Sequence, residues 1–224
     1  MGQDIKLTAS DGFQSGGYRA DPTGTPKGAV VVIQEIFGVN HHIRAVCDRL
    51  AGAGYVAIAP SIFDRIEPNF QSGYSPDEIA VARKFVANPD WAAMLLDTQA
   101  AIDAVKTVGP VGIVGFCLGG SVAYAAATKL TGLSAAIGYY GGAVVRFADD
   151  KPKVPTQLHF GEQDQGIPLA DVETIKAKRP DVEVYVYPGA QHGFNCDERP
   201  SYDKTSADIA WPRSLEFFAK HMKK

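Results

Sequence analysis

Three residues of this 224-residue chain have the types and the chain order of a nucleophile and its activating partners: Cys117, Asp164 and His192. Cys117 stands in G-F-C-L-G (115–119), where an apolar run, VGIVGF, turns directly into an alanine-rich helical segment. That is the G-x-nucleophile-x-G elbow, with cysteine where serine is commoner. A strand that reverses into a helix holds the residue at the bend in a strained conformation, so its close neighbours must lack side chains. The bend lifts the sulfur clear of the sheet and sets it at a helix N-terminus, whose unpaired N–H groups favour an anion. The Leu118 N–H then faces the place where an oxyanion forms. A second donor is expected from the loop after GAVVVIQE, at the Ile36 N–H. The chemistry this implies is acyl transfer through a thioester.

A thiol nucleophile needs a base, and the base needs an orienter. GEQDQGIP places Asp164 just past the strand pattern TQLHFG, and YPGAQHGFN places His192 just past VEVYVYP. Both fall in loops at the sheet edge that carries Cys117, where function concentrates. The competing groups fit less well. His159 lies inside a strand and reads as a core histidine. His41 and His42 open a helix and read as capping or solvated, and His221 reads as surface. Glu162 lies less deep in the turn than Asp164. Glu35, beside Ile36, would oppose a thiolate by like charge if it points into the pocket, and otherwise braces the loop. Cys47, Cys117 and Cys196 are too dispersed for a zinc pattern, so neither a metal nor an organic cofactor is expected.

The elements that must position these groups are read from periodicity. Apolar runs at 28–35, 55–62, 111–117, 133–140, 156–161 and 182–188 are continuous and not alternating, as strands covered on both faces require. Helical patterns alternate with them: HIRAVCDRLAGAG, SPDEIAVARKFVAN, MLLDTQAAIDAVKTV, GSVAYAAATKL, LADVETIKAKR and ADIAWPRSLEFFAKHM. Ser75, Pro76 and Glu78 form a capping box with proline at the first helical position. Pro212 is expected to kink the last helix or to mark its start. IKLTA and FQSGGYRA flank Asp11-Gly12, a hairpin signal. The expectation is one α/β domain over 1–224, a doubly wound, mostly parallel sheet with helices on both faces and an N-terminal hairpin. In such sheets ligands bind beyond the carboxyl ends of the strands.

Composition narrows the classes. A hydrophobic fraction of 46% and a charged fraction of 21% suit a packed core and exclude disorder. A net charge of −3 offers no basic surplus for nucleic acid. No apolar run approaches a membrane span, and the N-terminus shows no secretory pattern. Three cysteines cannot all pair within one chain, which suits a reducing cytoplasm. The expected partner is a small-molecule ester or lactone, taken by a monomer or small homo-oligomer.

With Q-E-I-F-G (34–38), G-F-C-L-G-G (115–120), Y-Y-G (139–141) and H-G-F (192–194), the chain from about Gly28 to Phe218 resembles the dienelactone hydrolase (carboxymethylenebutenolidase) family of α/β-hydrolases. The resemblance implies a Cys117–His192–Asp164 triad, an oxyanion hole from the Leu118 and Ile36 amides, and a Glu35 that contacts the resting thiol until substrate redirects it. It implies a small unsaturated lactone bearing a carboxylate, held by arginines, and a part in the degradation of aromatic compounds. Arg65 matches one arginine position. The other falls on Cys196, a neighbouring serine falls on Gly193, and Arg199 stands three residues further on as a substitute. Phe37, Tyr139 and Tyr140 are the remaining candidates for substrate contact. A broader esterase or thioesterase, or a thiol redox or binding protein without turnover, are the alternatives.

Overall fold

The computed structural model describes residues 2–223. Eight strands form one sheet in the order β1-β2-β4-β3-β5-β6-β7-β8. β1 (Gln3–Thr8) and β2 (Gln14–Ala20) are the expected antiparallel hairpin, and β2 pairs antiparallel with β4 (Val56–Pro60). From β4 onward, β3 (Ala29–Ile33), β5 (Val111–Phe116), β6 (Ala135–Tyr139), β7 (Thr156–Gly161) and β8 (Glu183–Tyr187) run parallel.

The continuous apolar runs follow from two-sided cover. Val30 and Val32 of β3 join one core cluster, which draws in Ile43, Val46 and Leu50 of α1 (His41–Gly52) and Phe217 and Phe218 of α7 (Lys204–His221). Ala29, Val31 and Ile33 face the other cluster, with Ala101, Ile102 and Val105 of α3 (Trp91–Val105) and Val122 and Ala126 of α4 (Leu118–Lys129). Burying one such aliphatic side chain is worth about 2 kcal/mol, so both helical layers are needed to hold a strand like AVVVI in place.

α2 (Pro76–Phe85) opens with the capping box between Ser75 and Glu78, as expected. α1 is capped by Asn40, whose Oδ1 accepts the Ile43 N–H at 3.3 Å. Of the two alternatives for Pro212, the helix start is excluded, since Pro212 lies inside α7, which begins at Lys204. One reading is corrected: His42 is fully buried against Phe116 at 6.0 Å between ring centres, and is not a solvated cap. α5 (Val144–Phe147) was not foreseen, because a single turn leaves no periodicity to read; α6 (Leu169–Lys178) was. Among the described residues no helix is long and apolar enough to cross a membrane.

Candidate active site

β5 ends at Phe116, α4 begins at Leu118, and Cys117 alone makes the turn, with φ 55° and ψ −117°. A non-glycine residue there costs on the order of 1–3 kcal/mol, so the surroundings must hold it. They do. The Cys117 N–H donates to the Tyr139 carbonyl at 3.0 Å, and the Gly120 N–H donates to the Cys117 carbonyl at 3.0 Å. The glycines are sterically required: a Cβ on Gly115 would lie 1.8 Å from the Gly119 oxygen, and one on Gly119 would lie 2.3 Å from the Ile33 oxygen. The sulfur therefore projects from the sheet edge, partly exposed.

β7 and β8 deliver the other two groups. Asp164, buried in the turn after β7, accepts the Gly166 N–H on Oδ1 at 2.8 Å, leaving Oδ2 to His192 Nδ1 at 2.7 Å. With Nδ1 held by Asp164, Nε2 is the ring nitrogen left for Cys117, and the two residues line the same cavity. Burial alone would lower the His192 pKa. The neighbouring Cys117 and the hydrogen bond to Asp164 outweigh it, pushing the value up to about 10. An imidazolium beside the sulfur is the partner a thiolate needs. The Leu118 and Ile36 N–H groups have no hydrogen-bond partner among the described residues, and both residues line the cavity above Cys117. Its volume is about 300 Å³, and its apolar walls come from Ile36, Val86, Pro89, Trp91, Leu118 and Ile167.

The resemblance implies a Glu35 in contact with the resting thiol, but Glu35 does not line the cavity and its carboxylate hydrogen-bonds other groups. Its carboxylate accepts from Arg199 Nη1 at 2.8 Å and from Tyr74 Oη at 3.2 Å. Tyr74 Oη in turn receives Asn40 Nδ2 at 3.2 Å and the Cys196 thiol at 3.3 Å. The two departures at 193 and 196 now make sense together. A Cβ on Gly193 would lie 2.6 Å from Arg199 Nη1, so glycine beside the histidine makes room for the displaced arginine. Against the cost of burial, the Arg199 guanidinium is stabilised by Glu35 and then by Cys117, so its field reaches the sulfur.

The other arginine is placed elsewhere. Arg65 is held by Asp97 through Nε and Nη2 and by Asp11 at 2.7 Å, with its guanidinium 4.3 Å from the centre of the Phe13 ring. It staples the β1–β2 turn to α3 and does not line the cavity. Nor do Phe37, Tyr139 and Tyr140, all buried. The Tyr139 hydroxyl bonds the Ala210 carbonyl and Ser214, bracing β6 against α7. Tyr140 packs 5.1 Å from the His192 ring and Phe37 packs 4.7 Å from Tyr74, so they brace those side chains. The lining residues missed by sequence reading include Val86, Pro89, Trp91, Ser121, Arg146 and Ile167. They belong to segments far apart in the chain, and no local signal marks them as neighbours.

His159 is the core histidine expected, bonded to Gln157 and Tyr187 and lowered to about 3 by burial. One buried cluster has metal-ligand types: Glu35, His42 and Cys196 bring donor atoms within 4.8 Å of one another. The cluster already has a cation, since Arg199 occupies the carboxylate. Burial, reinforced by Glu35, pushes the Cys196 thiol up to about 12, so the sulfur stays protonated and is a poor ligand.

Residues 16–222 match the model of the dienelactone hydrolase family. A provisionally named carboxymethylenebutenolidase of Synechocystis sp. is 38% identical over the full length of both chains. Carboxymethylenebutenolidase 1 of Cupriavidus pinatubonensis is 29% identical, covering 98% of this chain and 97% of its own. The crystal structure of a provisionally named dienelactone hydrolase from Klebsiella pneumoniae superposes with a TM-score of 0.86 at 31% identity, over 98% of this chain and 99% of that one. Elbow, sheet order and relatives agree: this chain belongs to the dienelactone hydrolase family and is a hydrolase with the α/β-hydrolase fold.

Proposed function

We propose that the chain hydrolyses a small ester or lactone through a Cys117–His192–Asp164 triad and a thioester intermediate, the carboxylate-bearing dienelactone of the resemblance being the first substrate to try. The observation that carries this reading is the strained Cys117 lining one cavity with a His192 whose Nδ1 is held 2.7 Å from Asp164. The Cys117 thiolate adds to the substrate carbonyl, and the carbonyl oxygen gathers charge against the Leu118 and Ile36 N–H groups, each worth about 3 kcal/mol of the barrier. Collapse breaks the C–O bond, and His192 gives its proton to the departing alkoxide. His192 then takes a proton from water, whose oxygen attacks the thioester. The acid leaves and the thiolate is restored to its imidazolium partner. Asp164 holds the tautomer throughout and orients the ring. Three free cysteines fit a reducing cytoplasm, where a thiolate nucleophile survives.

The test is pre-steady-state hydrolysis of p-nitrophenyl acetate. A burst of nitrophenolate equal to the enzyme concentration is expected from the wild type, and none from Cys117→Ala. Undiminished turnover by the alanine variant would sink the assignment.

A further inference from the structure

The cavity above Cys117 holds a group that this hydrolytic scheme does not use. Arg146 stands on its wall, carried by α5. The chain offers it two natural partners, Asp149 and Asp150, three and four residues on. Both are engaged elsewhere: Asp149 with Lys178 at 2.8 Å and Asp150 with Lys129 at 3.6 Å. Among the described residues Arg146 pairs with no carboxylate.

The arm is free but its base is fixed. Val144 is fully buried, Phe147 meets the Trp91 ring edge-on at 5.0 Å, and the Ala143 N–H donates to Ser121 Oγ at 2.9 Å. Trp91, Ala143 and Ser121 also line the cavity, so the short helix is locked to the wall it helps to form. Elsewhere an exposed arginine is a solvated charge. Here no Asp or Glu lines the cavity among the described residues, so nothing local neutralises the guanidinium. Its planar donor pair suits a carboxylate bidentately. The arginines that sequence points to are otherwise occupied, Arg65 by two aspartates and Arg199 by Glu35.

We propose that Arg146 is the anion anchor of this pocket, selecting esters or lactones whose carboxylate is held at α5 while their carbonyl meets Cys117. The inference rests on the hydrolytic reading above and adds to it the residue that reads the charge.

Mono-p-nitrophenyl glutarate and p-nitrophenyl pentanoate form a pair matched in chain length, one anionic and one neutral. In wild type the ratio of their kcat/KM values favours the anion. In Arg146→Gln this ratio falls about tenfold, mainly through KM, and Arg146→Lys keeps part of it. An unchanged ratio in Arg146→Gln overturns the proposal. Binding is read separately by protection of Cys117 from iodoacetamide. Glutarate protects the wild type and not Arg146→Gln, whereas no protection, or equal protection in both, also overturns the proposal. Should neither ester turn over while glutarate protection is lost in Arg146→Gln, the anchor stands and the hydrolytic reading falls.

Discussion

Glu35 and Arg199 show how much one buried ion pair near the proposed nucleophile can decide. Glu35 is buried, 2.8 Å from Arg199, and the Arg199 guanidinium is stabilised by Glu35 and then by Cys117. Removing the negative charge leaves the guanidinium to act on Cys117 alone. Glu35→Gln is therefore expected to speed iodoacetamide labelling of Cys117 at neutral pH about tenfold, since one neighbouring charge shifts a thiol by a unit or more. Unchanged labelling would count against the coupling. Arg199→Gln acts in the opposite direction on labelling. It also destabilises by about 3 kcal/mol in urea unfolding, because Glu35 is left charged and buried. The elbow, its glycines and the pairing of Asp164 with His192 were legible in the sequence, because turn chemistry and strand ends are local signals. The exchange of contacts around 193, 196 and 199 was legible only as a departure. That Gly193 makes space for the Arg199 side chain is a three-dimensional fact.

Elements position these residues through contacts that spacing does not reveal. The resemblance makes Arg65 a candidate substrate anchor, because it matches one of the family's arginine positions. The register of β2 against β4 and the place of α3 instead bring Asp11 and Asp97 to it. Asp97 is fully buried, and burial raises its pKa even with Arg65 beside it. Arg65→Ala is thus expected to cost about 3 kcal/mol of stability and to leave the KM for small esters unchanged. A raised KM with unchanged stability would restore the anchor reading. The strands and most helices were visible as apolar runs and caps. α5 was not, although a single turn there carries Arg146 into the cavity wall.

At the scale of the whole molecule, catalysis and stability are linked through protons. The folded chain holds His192 protonated up to about 10, above the ordinary histidine value. A raised folded pKa contributes stability that is fully present below about pH 6.5 and is lost as pH rises through the folded value. The gap in Tm between wild type and His192→Gln is therefore expected to narrow steadily from pH 6.5 to 10. A gap that stayed constant, or widened with pH, would mean that the ring is not held as a cation. The same coupling ties β5, β7 and β8 together, since sulfur, carboxylate and imidazole come from three parallel strands and meet only when the sheet is complete.

By itself the sequence determined the strand–helix alternation, the elbow and the chain order of its partners, because hydrophobic period, glycine sterics and turn chemistry act over a few residues. The packing of loops from distant segments decided the rest: which arginine pairs with Glu35, which is held in a staple and which is left unpaired. A charge can be read from a chain, but its partner is chosen by distance, and distance exists only after the sheet has closed over its helices.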